Sequence, residues 1–318
     1  MANPEQLKTG QIPLLIGGIA IGLLFVFLAT SSWQQREQQW DRQQAMHAEL
    51  TQRSIELSQI ALGNQAMLAA RSLAEEPGIR ELLARIKALA DNNQTDNQAE
   101  IQRLRGQLRT DLNRVWSVLQ SGGAQMLEVH LANPVQTLLR MQHPDRPMDG
   151  PGEEARPLLN NALQSGQEQT GIESGPLGVL RAAVVPILSP HNGTNELVAL
   201  IAVGFSVLPG HIAQGATSDT DLALLMPPSE GLKESKLDLT EDGRWLIGRD
   251  SNPAFAQWLA AARLTTGLDQ VHHQQLPVDN QVFHITSLPL LATAAPGSQG
   301  DVAGLIIAWH DISAAAAA

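Results

Sequence analysis

The chain has 318 residues, room for two domains of ordinary size plus an appendage. Hydrophobic residues make up 43% and charged ones 17%, so a real core can be buried. A formal charge of −11 argues against nucleic-acid binding, which needs a basic footprint, and zero Cys excludes disulfide scaffolds, zinc ribbons, iron–sulfur sites and thiol nucleophiles.

The first strong signal lies near the start. Residues 12–29 read IPLLIGGIAIGLLFVFLA, without a charge. As a helix this run is roughly 27 Å long, about the thickness of a bilayer's hydrocarbon core. Trp33 stands where interfacial aromatics lie, and Gly18 and Gly22 form a GxxxG pair that permits close approach of a second helix. The competing reading of those glycines is ordinary membrane-helix composition. A cleaved signal peptide would have a shorter apolar core and a clearer small-residue cleavage site than Ala29-Thr30-Ser31. The expectation is an uncleaved anchor over 12–32 behind a cytoplasmic tail of residues 1–11. Lys8 on one side and Arg36 and Arg42 on the other give no clean orientation. A large acidic body without Cys fits export to a bacterial periplasm.

Helix follows. Residues 32–74 contain no Pro and a single Gly. Met46, Leu50, Leu57, Ile60 and Met67 fall at alternating heptad positions, with Arg53 and Asn64 interrupting the seam. The stripe is expected to pack on the domain that the helix carries. Pro77-Gly78 breaks the helix, 79–90 resumes it, and 91–97 is a polar loop. A further helix carries Ile101, Leu104, Leu108, Leu112, Val115 and Leu119 on one face and stops at Ser121-Gly122-Gly123.

After residue 123 the periodicity changes to that of strands. Segments 125–131, 136–141, 170–173, 180–188 and 196–206 are rich in Val, Ile and Leu, with a helical stretch at 153–165. That is an antiparallel sheet with a helical insertion. A weaker copy of the same layout follows: strands at 222–226, 236–239, 244–247, 281–288 and 302–310, with a helix at 253–262. The fold class expected is α+β: membrane helix, helical stalk, and two PAS-like modules in tandem.

The stretch 127–147 (LEVHLANPVQTLLRMQHPDRP) resembles the first module of a double-Cache sensor domain. So do 155–159 (ARPLL) and 171–187 (GIESGPLGVLRAAVVPI). The resemblance is good over about 80 residues, and anchor, stalk and second module agree in order. It implies the extracytoplasmic ligand-binding segment of a bacterial chemoreceptor, diguanylate cyclase or sensor kinase. It sets domains at 33–120 (stalk), 121–208 (first, membrane-distal Cache module), 209–312 (second, membrane-proximal module) and 313–318 (tail). The better-known amino-acid and amine sensors of the wider group use Tyr, Trp and Asp in their pocket. This chain has no Tyr, so their ligand classes do not carry over.

Six charged residues at motif positions are the candidate ligand-binding set: His130, Arg140, His143, Arg156, Glu173 and Arg181. An Arg fork suits a carboxylate or phosphate, and three arginines at one cleft suit a small acid better than a cation. The structural alternative pairs Arg181 with Glu173 across adjacent strands and has Arg156 clamp a loop. Gly171, Gly175 and Gly178 are expected to shape a turn. His272-His273 is adjacent rather than metal-spaced and reads as exposed loop or strand.

There is no HExxH, GxSxG, Walker A or EF-hand pattern, so neither an enzyme nor a cofactor is expected. The expected partners are a small molecule, the membrane through 12–32, and a second copy of the chain, but no nucleic acid. The alternative function is a membrane-anchored envelope scaffold whose Cache-like body binds a protein. No later apolar run can span a bilayer. The expectation is therefore either a piece of a longer receptor or a free-standing sensor with its cytoplasmic output on another chain.

Overall fold

The computed structural model describes residues 4–92, 97–148, 156–175, 177–191, 194–208, 220–228, 239, 243–248, 270–278, 281–294 and 300–313, with side chains from residue 22 onward except at 37, 190, 191, 194, 195, 277 and 278. Helix α1 runs Pro4–Glu75, α2 Pro77–Asp91 and α3 Asn97–Ser121. The chain divides into two compact units, 1–51 and 52–318. In the first, the large side chains from Leu23 to Leu28 are all exposed. Among the described residues no helix is long and apolar enough to cross a membrane. The expected span over 12–32 falls partly on residues whose side chains lie outside the described ones.

In the second unit the stalk packs differently from expectation. Leu57 and Ile60 are 65% and 56% exposed, while Ile55, Leu62, Ala66, Ala70 and Leu73 are buried. Of the expected stripe in this unit, Leu57 and Ile60 are therefore turned away from the core, while Met67 packs partly against it. A helix that lies close on its neighbours buries alanines, and a pattern built on bulky side chains passes over them. On α3, Ile101, Leu104, Leu108 and Leu112 are buried as expected, but Trp116 rather than Val115 completes the face. Pro77 opens α2 at a position where its missing N–H costs nothing.

Helix α4 (Pro157–Ser165) and strands β1 (Ala124–Leu131), β2 (Gln136–Arg140), β3 (Gln169–Gly175), β4 (Gly178–His191) and β5 (Thr194–Ser206) build the first module. The sheet order is β2-β1-β5-β4-β3, all neighbours antiparallel. Successive residues of a strand face opposite sides. One face, with Leu127, Val129, Ala183, Val185 and Ile201, packs on α1, α2 and α3. The other, with Met126, Leu180, Ala182, Val184 and Leu200, packs on Leu158, Leu159 and Ala162 of α4.

The second module repeats this plan. Strands β6 (Thr220–Met226), β7 (Leu246–Ile247), β8 (His272–Val278), β9 (Gln281–Leu291) and β10 (Val302–Asp311) take the order β7-β6-β10-β9-β8. Numbered within its own module, each sheet reads second, first, fifth, fourth, third. The recurrence of layout expected from the sequence is thus a recurrence of topology. Strand β8 was not expected. It is a sheet edge with a polar sequence and Pro277, both features of protected edges. His272-His273 opens it, and His273 Nδ1 lies 3.0 Å from Thr286 Oγ1. Of the strand expected at 236–239 only Leu239 is described, bridging Leu246, and the helix expected at 253–262 lies outside the described residues.

A short segment after β9 joins the modules. The Thr293 N–H donates to the Ile172 carbonyl of β3 (2.8 Å), and the Ile172 N–H donates to Thr293 Oγ1 (3.1 Å). Asn161 Nδ2 of α4 donates to the Ala294 carbonyl at 3.3 Å. Gly171 makes this approach possible: a Cβ there would sit 1.8 Å from Thr293 Oγ1. The expectation that Gly171 shapes a turn gives way to this role in module contact.

Candidate functional site

Period-two alternation on β1 places Met126, Glu128 and His130 in a row on the α4 face. Strand β2 sets Arg140 directly opposite Glu128. Arg156 stands at the head of α4, where the first helical position is Pro157. Glu173 faces the same side from β3, opposite Leu180. Four elements thus converge on one sheet face with four charged groups.

Glu128 is the hub. Its side chain is 7% exposed. Oε2 accepts from Arg156 Nη1 at 2.5 Å and lies 3.3 Å from His130 Nε2. Oε1 accepts from Gln142 Nε2 at 2.7 Å, with Arg140 Nε at 3.5 Å. Burial alone would raise this carboxyl. The His130 hydrogen bond and the Arg156 charge outweigh it and hold Glu128 far below the usual carboxylate range.

His130 is 1% exposed, and burial pushes its imidazole below the ordinary value despite the Glu128 hydrogen bond. It is therefore neutral, and its neighbours fix the tautomer. Nε2–H donates to Glu128, while Nδ1 accepts from Thr137 Oγ1 at 3.2 Å; Arg156 Nη1, 3.4 Å from Nε2, then donates to Glu128 rather than to the ring. Thr137 in turn accepts from Arg140 Nη2 at 3.3 Å. The chain Arg140 to Thr137 to His130 to Glu128 holds the hub from one side.

Arg156 holds it from the other. Its second nitrogen, Nη2, donates to Glu173 Oε2 at 3.0 Å and touches Met126 Sδ at 3.5 Å. Burial opposes the charge on Arg156, but the two carboxylates more than compensate and raise its pKa. With His130 neutral, two arginines face two carboxylates among the described residues of the cluster. Glu173 is the member least tied, because its Oε1 is buried and has no partner.

Of the six expected residues, the structure gathers His130, Arg140, Arg156 and Glu173. His143 does not join them: it is exposed in the turn after β2, its N–H donating to the Arg140 carbonyl at 3.1 Å. Arg181 also stands apart, which corrects the expectation of three arginines at one cleft. Its register partners are Ile172 and Phe205, so it faces the stalk. A Cβ on Gly63 of α1 would lie 2.8 Å from Arg181 Nε. That atom is buried without a partner, and burial lowers the pKa of the group. The alternative pairing of Arg181 with Glu173 fails for the same reason, since the two point to opposite faces.

Glu128, Gln142 and Thr137 were missed in the sequence. The available signal was a carboxylate inside an apolar strand, two residues before His130. A cleft of about 310 Å³ lies elsewhere on the α4–β3 surface, lined by Asn161, Gln164, Ser165 and Gln169. It contains none of the charged cluster; Ser165 Oγ donates to the Asn161 carbonyl at 2.6 Å and accepts from Gln169 Nε2 at 3.4 Å.

No protein-family model and no curated protein matches the chain. The solved structures it is similar to are sensor domains of receptors and kinases. The sensor domain of the Vibrio cholerae histidine kinase DctB is 13% identical, covering 86% of this chain and 98% of that one, with a TM-score of 0.46. The Escherichia coli DcuS sensor domain is 22% identical over 47% of this chain and 91% of that one, TM-score 0.28. The ligand-binding domain of the Campylobacter jejuni chemoreceptor Tlp3, in complex with 4-methylisoleucine, is 10% identical over 84% and 89%, TM-score 0.40.

Proposed function

We propose that the chain is the ligand-sensing part of a membrane-anchored bacterial receptor. In this reading residues 12–32 cross the inner membrane once and the body lies in the periplasm. A small acidic molecule binds in the first module, at 121–208, on the α4 face of its sheet. The observation that carries the reading is the charged cluster around Arg156, with one carboxylate oxygen of Glu173 buried and unmatched. Such a paired cluster accepts an acid by exchange: the ligand carboxylate replaces Glu173 on Arg156, whose planar fork suits it. A second copy of the chain covers the exposed Leu57 and Ile60 face of α1.

A thermal-shift screen of the full chain against mono- and dicarboxylates, amino acids and amines tests this. A ligand at about 100 times its Kd adds about 2.7 kcal/mol. For a body of this size that is a rise of roughly 5–10 °C in Tm. An acid is expected to give the rise in the wild type, and Arg156→Lys, which keeps the charge but loses the fork, is expected to lose most of it. If none of the compounds raises Tm and a pull-down returns an envelope protein, the scaffold reading replaces this one.

A further inference from the structure

The segment that joins the modules lies against the same two elements as the charged cluster. Glu173 and Arg156, the pair that an incoming acid would part, sit on β3 and at the head of α4. The second module grips those same two elements. Thr293 exchanges two hydrogen bonds with Ile172, the residue next to Glu173, and the Ala294 carbonyl accepts from Asn161 of α4, five residues after Arg156. The segment is in turn tied to its own sheet, where the Ala292 N–H donates to the Asp301 carbonyl at 2.8 Å before β10.

From this geometry we infer that residues 292–294 are the second module's reader of the Arg156–Glu173 pair, built to sense whether β3 and α4 are held together. The inference rests on the proposed ligand reading for its trigger, but the contact itself is independent of any ligand. The coupling is mechanical. With the pair closed, β3 and α4 present one fixed pair of bonding groups, the Ile172 backbone and the Asn161 amide. With the pair open, the apolar packing of Leu158 against Gly171 remains but no other polar contact among the described residues joins Arg156 to Glu173, so both sets of bonds with 292–294 must be kept across two elements whose spacing is less firmly set. Gly171 leaves no spacer at this point: Thr293 lies against bare β3 backbone, so a small displacement of the strand is transmitted rather than absorbed. A ligand biases the two arrangements only by the difference in its affinity for them. Parting this pair supplies such a difference.

Hydrogen exchange on the full chain, with no ligand added, tests the inference separately from the ligand reading. Glu173→Gln removes the charge that closes the pair while keeping its shape, leaving Arg156 a weaker neutral acceptor. The amides of Ile172 and Thr293 are then expected to exchange about three to ten times faster, with Ile306 and Ile307 at the centre of the second sheet unchanged. Thr293→Ala removes the acceptor from the other side, and the Ile172 amide is expected to exchange faster in it while the Arg156 and Glu128 contact persists. Unchanged exchange at Thr293 in Glu173→Gln overturns the inference. So does an equal acceleration throughout the second sheet, which would report general loosening.

Discussion

Replacing Glu128 by Gln removes the hub's charge while keeping its shape. The side chain is 7% exposed and meets Arg156 at 2.5 Å, Gln142 at 2.7 Å, His130 at 3.3 Å and Arg140 at 3.5 Å. An amide at this place turns an N–H toward a guanidinium N–H. Breaking one side of a buried pair costs about 3–5 kcal/mol. Arg156 keeps Glu173 and has a side chain 26% exposed, so the lower end applies, about 3 kcal/mol. The corresponding fall in Tm is roughly 6–12 °C.

The pH dependence of that loss identifies its origin. Glu128 has a folded pKa far below the unfolded value of 4.5. Its contribution is therefore present above 4.5 and is lost as pH falls below it. Denaturant unfolding of wild type and Glu128→Gln from neutral to acid pH should show a gap that holds down to the ordinary carboxylate range and narrows beneath it. Equal stability at neutral pH, or a gap that persists undiminished about two units below that range, would refute the account of Glu128 as a paired, ionised hub.

Three further outcomes are expected. His130 is buried neutral with a depressed pKa, so the wild type should lose stability as pH falls below 6.5, where the unfolded imidazole gains its proton; His130→Gln should show a shallower slope, His273 keeping its own share, and parallel unfolding midpoints in the two proteins would remove the assignment. Arg181 carries a buried nitrogen with no partner, so Arg181→Met should change stability by no more than about 1 kcal/mol, in either direction, by chemical denaturation. A loss above about 2 kcal/mol would mean that the guanidinium has a stabilising role at Gly63. If a second copy covers α1, Leu57→Lys with Ile60→Lys should halve the mass seen by light scattering; a wild-type monomer, or an unchanged dimer in the variant, would place the interface elsewhere.

Much of the fold was legible because strand and helix periods are strong signals in apolar sequence. The strands of the first module are found close to where their Val, Ile and Leu runs place them, and both modules follow one order. What the sequence hid was register and the identity of small buried residues. Arg181 and Glu173 lie eight apart on neighbouring strands, and a shift of one residue would have put them face to face. The actual pairing, Ile172 with Arg181, separates them. On α1 the buried positions include Ala66 and Ala70, whose side chains carry little weight in any hydrophobic pattern. Strand β8 was hidden for the opposite reason, since an edge strand is polar by necessity. Glu128 was overlooked as one acidic residue among many, although only its parity with His130 was needed to place it on the site's face.

The pairing of charge in the cluster also constrains how a sensor built on it would behave. An acid that replaces Glu173 on Arg156 exchanges one carboxylate bond for another, so that step contributes little net affinity. What remains must come from contacts beyond the carboxylate, less the cost of ordering the ligand. Tight binding is then not the natural outcome, and a Kd near the micromolar range, about −8 kcal/mol, is the expected scale. The same exchange gives the ligand its leverage. A molecule that added itself beside an intact Arg156–Glu173 pair would favour the closed arrangement already present, and would move nothing. One that must part the pair binds the open arrangement alone. The free energy needed to part it limits affinity and sets the largest shift the ligand can impose on β3, α4 and the segment that grips them.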